Sequence, residues 1–390
     1  MRGLDYIGFD VHKKIINFCA KASDGQILDE GKIAARRVDL NAWAKARSRP
    51  WMGAMEATLF TGWIYDLLLP QAQALKVAHP AMLRAITAAK KKNDRVDARK
   101  IADLLRCNLL PECYMAPSQT RELRRILRYR NLVVREATRM KNRISGLLME
   151  TGTPYNKGKL HGKTYFAELL GTLQETPASV RDLLRLSRGQ LDLFESIQSR
   201  LVKELVCNPE LAERVERLRS INGVGAILAL TWILEIGEVK RFASIRQAQS
   251  YCGLTSAQHN SAGIEHRGPI SKQRNKHLQT MLIEAAKLAP RFNERLAAVH
   301  VREMGHGNRN RATLAVARKL VAYLMAVDKS GQPFQTRTSE ASVVVHQESD
   351  RSVGRIGKGH RCGNGLGVEP VHYGKLGFTW CEDESRTPSP

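Results

Sequence analysis

The chain has 390 residues, 43% of them hydrophobic, and carries 62 Lys and Arg against 38 Asp and Glu, a net charge of +24. That length suggests about two or three domains, and the basic excess points to a polyanion such as a nucleic-acid backbone as partner. With no long uncharged apolar run, no basic-then-apolar leader and seven scattered cysteines never spaced Cys-x-x-Cys, the expectation is a soluble, cytoplasmic protein with reduced thiols, no membrane span, no disulfide framework and no zinc knuckle.

Tyr6 to Phe9, Ile15 to Ala20 and Gln26 to Ile33 read as three short strands in a meander, with Ser23-Asp24-Gly25 as the hairpin turn. A helix over 39–47, a strand at Trp51 to Met55, a helix from Gly62 to Leu69 and a strand from Leu75 to Ala78 follow, so strands begin to alternate with helices. This predicts an α/β domain with a mixed sheet. The basic run Lys90-Lys91-Lys92 leads into a helix that Asp94 is placed to cap, with Ile101, Leu104 and Leu105 on its apolar side.

From Arg121 to Glu150 apolar residues recur at spacings of three and four, and a second stripe runs from Leu184 to Leu205. The two stripes predict an antiparallel helical pair or coiled coil, of the kind that commonly joins domains or subunits. A compact helical domain is expected over about residues 210–328, and beyond Gly331 the composition turns to Ser, Thr, Gly, Arg and Glu without period, predicting a disordered tail.

Four acids stand apart from ordinary surface carboxylates. Asp10 ends the apolar run Tyr6 to Phe9, Glu56 ends Trp51 to Met55, and Asp94 and Asp97 open a helix. An acid at the end of a buried strand is costly unless something cationic meets it. Two-metal phosphoryl transfer needs hard oxygen ligands converging on ions about 4 Å apart. In RNase H-type sheets the first strand, the fourth strand and a later helix supply those acids in that order, as here. Asp94 and Asp97, at i and i+3, share a helix face, and Lys91, Lys92 and Arg95 would flank the site as phosphate contacts. Taken singly, each acid also reads as a turn, strand-end or cap residue, and His12 as a strand-edge residue.

Further on, Ile221 to Gly225 resembles the glycine turn of a helix-hairpin-helix, which lets backbone N–H groups approach a phosphate. A tight helix–helix turn reads equally well. Gly253 to Gly263 is a polar loop holding Ser261 between small residues, and Arg267, Lys272 and Arg274 supply positive charge beyond it. On sequence alone a serine in such a loop is structural more often than nucleophilic.

At these residues the chain resembles the DEDD-type insertion-sequence transposases, the group described as bridge-RNA-guided recombinases. The N-terminal match is Tyr6-Ile7-Gly8-Phe9-Asp10-Val11-His12-Lys13, Ala54-Met55-Glu56-Ala57 and Lys92-Asn93-Asp94-Arg95-Val96-Asp97-Ala98. The C-terminal match is Ile221 to Gly225, Tyr251 to Thr255, Ser261-Ala262-Gly263, Gly268 to Lys272 and Ala317-Arg318-Lys319. Asn260 and Ala262 stand where the family often has Ser and Gly, and Arg274 replaces a common Gly.

The resemblance implies a RuvC-like (RNase H-like) catalytic domain over 1–117, a helical coiled-coil connector over 118–208 and an all-α transposase domain over 209–329, leaving 330–390 as the tail. It assigns Asp10, Glu56, Asp94 and Asp97 as Mg²⁺-binding catalytic acids and Ser261 as the nucleophile that links covalently to DNA. It further implies dimers pairing into a tetramer around DNA and a guide (bridge) RNA. A hydrolytic junction nuclease using the same acids with water, or a non-catalytic nucleic-acid-binding protein, are the competing expectations.

Overall fold

A computed structural model describes residues 3–87, 94–261 and 264–335, all within one unit, Met1–Thr336. Of the tail expected over 330–390, residues 336–390 lie outside the described residues, whereas Phe334 packs its ring on Tyr323 at 4.7 Å and its backbone N–H donates to Ser220, which corrects the start of the tail.

Three antiparallel strands open the chain: β1 (Asp5–Val11), β2 (Ile15–Lys21) and β3 (Ile27–Ala34). The β2–β3 turn is the expected Asp-Gly turn. Gly25 takes φ +94°, and the Gln26 amide donates to Asp24 Oδ1 at 2.9 Å. Then come α1 (Arg37–Lys45), β4 (Trp51–Glu56), α2 (Thr61–Leu68), β5 (Ala74–Ala78), α3 (Pro80–Thr87) and α4 (Asp94–Arg106). The five strands form a sheet in the order β3-β2-β1-β4-β5, with β4 and β5 parallel to β1.

Alternation along β1 assigns its two faces. Ile7, Phe9 and Val11 join Trp51, Met55, Ile64 and Leu68 in a core under α1 and α2. Gly8, on the other face, lies against α4, whose Ile101 and Leu105 pack with Ala54 and Ala78.

Two long helices follow, α5 (Ser118–Glu150) and α7 (Ala178–Val206), with the short α6 (Lys163–Thr172) between them. Ile144 and Leu148 share a core with Leu184 and Leu191, whereas Leu127 shares one with Leu205, so the pair is antiparallel.

The remaining described chain is mostly helical: α8 (Pro209–Arg219), α9 (Ala226–Ile236), α10 (Ile245–Tyr251), α11 (Lys276–Leu288), α12 (Glu294–Gly305) and α13 (Arg309–Ser330). Five of these six helices start at a side-chain cap, α9 being the exception. Asn208, Ser244, Asn275, Asn293 and Asn308 each accept a backbone N–H of the following turn, a cap worth about 1 kcal/mol. The apolar run of α9 is buried from Leu228 through Ile236 and packs on α8, α11 and α5.

The expectation of an all-α domain here is corrected. Strands β6 (Ser256–Ser261) and β7 (Ile264–Ile270) pair antiparallel as a separate two-stranded sheet. Their polar sequence reads as a loop because a two-stranded ribbon need not bury a face, so no apolar alternation marks it.

Among the described residues no helix is long and apolar enough to cross a membrane. Cys19, Cys107, Cys113, Cys207 and Cys252 are free thiols.

Candidate functional site

The sheet brings two of the expected acids to equivalent positions. β1 and β4 run parallel in a register ending at Phe9 opposite Met55. Asp10 and Glu56 are the next residues on each strand and, by alternation, belong to the face that α4 covers. Asn17, directly opposite Asp10 on β2, is on that face too and is 4% exposed.

Contacts along α4 fix its direction. Its last turn reaches the start of β1: Lys21, paired with Tyr6, binds Asp103 at 2.6 Å. Mid-helix, Arg99 grips Glu30 of β3 through two bonds of 2.8 and 2.9 Å. Between them Ala98 and Ala102 close directly on Gly8. Asp94 precedes Ala98 by one turn, about 6 Å along the helix, and Asp10 follows Gly8 by two residues, about 6.6 Å along the strand. The first turn of α4, which carries Asp94 and Asp97, is therefore aimed at the sheet edge where Asp10 and Glu56 lie near the C-terminal ends of β1 and β4.

The local contacts are polar and partly exposed. His12 Nε2 lies 2.8 Å from Asp10 Oδ2, and the Asp10 side chain keeps 17% of its exposure. Lys100 Nζ is 4.0 Å from Asp97 Oδ1. Among the described residues no three His, Cys, Asp or Glu side chains form a ready metal cluster. The donor set is carboxylate throughout, the hard oxygen chemistry that suits a divalent cation such as Mg²⁺ rather than a thiol-seeking metal.

Lys92, and the side chains of Asp94, Arg95, Ser261 and Arg267, lie outside the described residues. The backbone of Ser261 ends β6 and pairs with Ile264. Lys272 is exposed, and Arg274 donates to the Ser271 carbonyl at 2.9 Å while its stem covers Gly253. At the glycine turn, Gly223 takes φ +97° and sits on Ala289, as a tight helix–helix turn requires.

Sequence reasoning passed over Glu235. It lies in α9 with only 1% of its side chain exposed, gripped by Arg128 of α5 through two 2.8 Å bonds and by the Asn275 amide at 2.9 Å. Burial alone would push its carboxyl up. The hydrogen bonds and charge of Arg128, the Asn275 bond and the nearby Arg124 instead hold it below the ordinary carboxylate range. Its signal was visible, a lone acid inside the apolar run Ala226 to Ile236, the same signature that marks Asp10 and Glu56.

Comparison with known proteins decides the family. A family model described as "Transposase", of the DEDD type, matches residues 7–153, and one described as "Transposase IS116/IS110/IS902 family" matches residues 215–301. The chain belongs to the DEDD-type insertion-sequence transposases. Similar relatives include a "Probable family 20 transposase" of Pseudomonas aeruginosa, 28% identical over 51% of this chain and 61% of its own length. The transposase of insertion sequence element IS1111A from Coxiella burnetii is 26% identical over 74% of this chain and 78% of its own. That of IS1328 from Yersinia enterocolitica is 24% identical over 86% and 99%. This family of DNA-transposing enzymes carries a DEDD domain, which points to divalent-metal use.

Proposed function

We propose that this protein moves an insertion element by DNA strand cleavage and exchange through a serine–phosphate intermediate. What supports the reading is the placement of Asp10 and Glu56 side by side on adjacent parallel strands, with the first turn of α4 running toward them, in a chain of this family. The strand order with acids on β1, β4 and a following helix supports an RNase H-like, RuvC-like domain over 1–117. A helical connector over 118–208 and a transposase domain over 209–329 complete the proposed division.

In this reading Asp10, Glu56, Asp94 and Asp97 hold Mg²⁺, which when bound supplies positive charge to the phosphoryl oxygens and orients the scissile group. Ser261 Oγ loses its proton as the Oγ–P bond forms. The DNA P–O bond breaks, and the departing DNA oxygen takes up a proton. A second DNA hydroxyl then displaces the serine, so the number of ester bonds is unchanged and no nucleoside triphosphate is consumed. Lys92, Arg95, Arg267, Lys272 and Arg274 contact the backbone. The excess of 62 basic over 38 acidic residues suits both the DNA and a guide RNA, and a dimer pairing into a tetramer would bring one protomer's acids to another's serine.

The test is covalent trapping on the element's own ends. Ser261→Ala should abolish the protein–DNA adduct while retaining nucleic-acid binding, and Asp10→Asn should remove Mg²⁺-dependent cleavage. An adduct of unchanged yield in the serine variant would overturn the mechanism in favour of hydrolysis, and full cleavage by the Asp10 variant would overturn the metal site.

A further inference from the structure

Both feet of the β6–β7 hairpin meet one buried residue, Glu235, one foot at its backbone carbonyl and the other at its carboxylate. The hairpin leaves α10 after Tyr251 and returns to α11 at Asn275. The Tyr251 hydroxyl donates to the Glu235 backbone carbonyl at 3.2 Å, and the Asn275 side-chain amide donates to Glu235 Oε2 at 2.9 Å. The feet also tie to each other. The Asn275 backbone N–H donates to the Tyr251 carbonyl at 2.9 Å, and the Ser271 backbone N–H to that of Thr255 at 3.1 Å.

On its far side Glu235 is held by α5, the helix that leaves the N-terminal α/β domain. Arg128 binds both its oxygens, and Arg124 donates to the neighbouring Leu234 carbonyl at 2.6 Å. One turn earlier, Arg121 of the same helix donates to the Ala116 carbonyl at 2.9 Å and pairs with Asp66 of α2. Arginines on successive turns of α5 thus bond the α/β domain at one end and α9, at the base of the hairpin, at the other. A carboxylate kept ionised at 1% exposure is tolerated only while every partner stays in place.

We propose that Glu235 is a positioning residue that fixes the orientation of the β6–β7 hairpin, and with it Ser261, relative to connector helix α5. The link to chemistry rests on the reading of Ser261 as nucleophile, whereas the link to hairpin order does not. Glu235 touches neither DNA nor the reacting atoms. Its carboxylate acts through Asn275, so losing its charge loosens that foot of the hairpin without unbuilding the helices.

The full-length protein is compared with Glu235→Gln and Asn275→Ser by hydrogen–deuterium exchange and by adduct kinetics on the element's ends. Serine keeps an oxygen to cap α11 but removes the amide given to Glu235, so it isolates positioning from helix capping. Exchange across Ser256 to Ile270 should quicken by about tenfold in both variants while α9 and α13 stay protected. The adduct-forming rate at saturating DNA should fall about ten- to hundredfold with the half-saturating DNA concentration unchanged. Unchanged hairpin exchange in Asn275→Ser overturns the proposal even if Glu235→Gln fails to fold. A loss confined to DNA affinity overturns it as well. If Ser261→Ala still forms the adduct while hairpin exchange quickens as stated, the nucleophile reading fails and the positioning of the hairpin stands.

Discussion

The carbonyl oxygen of Ala98 occupies the place where a side chain on Gly8 would have to go: a Cβ on Gly8 would sit 2.1 Å from it and 2.5 Å from the Ala102 nitrogen. Both obstacles are backbone, so neither can turn aside. Gly8→Ala should therefore lift α4 off the sheet, costing about 1–3 kcal/mol or more and moving Asp97 away from Asp10 and Glu56. Metal-dependent cleavage should fall further than the loss of folded protein explains. Gly189→Ala is the control. It meets nothing within 4 Å in the middle of α7 and should stabilise by about 0.5–1 kcal/mol through helix propensity. Thermal melts of both variants check the contrast, and a Gly8→Ala protein with normal melting and cleavage would show that α4 does not need this close approach.

His12 holds Asp10 Oδ2 at 2.8 Å. If Asp10 ligates the cation, this bond orients a ligand, and outer partners of this kind are worth about 10–100-fold in metal affinity. His12→Ala should raise the Mg²⁺ concentration for half-maximal cleavage within that range, with the rate at saturating Mg²⁺ nearly retained. A Mg²⁺ titration of cleavage reads both quantities. An unchanged midpoint would make His12 a bystander at the strand edge, the reading its sequence position favoured.

The acids at the ends of β1 and β4 were legible because burial enforces a period of two, and an acid that closes an apolar run breaks the pattern visibly. The antiparallel α5–α7 pair was legible for the same reason at a period near 3.6. The β6–β7 ribbon was not, because its stability comes from backbone pairing and from feet anchored at Tyr251 and Asn275, and neither leaves an apolar pattern. Glu235 carries the same mark, an acid in an apolar run, but the mark does not name its partners. Its partners Arg128 and Asn275 lie 107 and 40 residues away in sequence, and no local rule connects them. Whether Asp97 reaches Asp10 depends on Gly8 admitting the helix, a tertiary fact that one glycine in a strand only hints at.

Cys252 is fully buried behind α10, and burial pushes its thiol up to about 12. At pH 8 it therefore stays in the unreactive thiol form. Cys107 and Cys207 are exposed. Alkylation of the native protein at pH 8, read by peptide mapping, should label Cys107 and Cys207 quickly and leave Cys252 unmodified until denaturant is added. Early labelling of Cys252 would mean that the α10 region opens far more readily than its packing implies.

Lys21 and Asp103 form an unequal pair, with side-chain exposures of 9% and 40%. Removing the acid strands a buried ammonium, whereas removing the lysine leaves an acid that water and Arg106, 3.1 Å away, still satisfy. Asp103→Ala should cost about 2 kcal/mol or more, and Lys21→Met about 1 kcal/mol or less. Urea unfolding of the two variants measures the difference. Equal costs would show that Lys21 finds water or another partner when Asp103 is gone.

His161 lies between α5 and α7, and its imidazole is pushed below the ordinary 6.5 first by burial and then by the charges of Lys141 and Arg188, with Glu195 opposing. The folded chain therefore binds fewer protons there than the unfolded chain, so stability must fall as pH drops from about 6.5 toward the lower folded value. His277, pushed down chiefly by burial beside the Glu235 network, adds a slope of the same sign. Denaturant midpoints should decline between pH 7.5 and 5.5, less steeply in His161→Gln and less again when His277→Gln is added. Equal slopes in all three proteins would mean that neither imidazole loses its proton on folding, and that the packing of α5 against α7 and of α11 against α9 leaves both rings in contact with water.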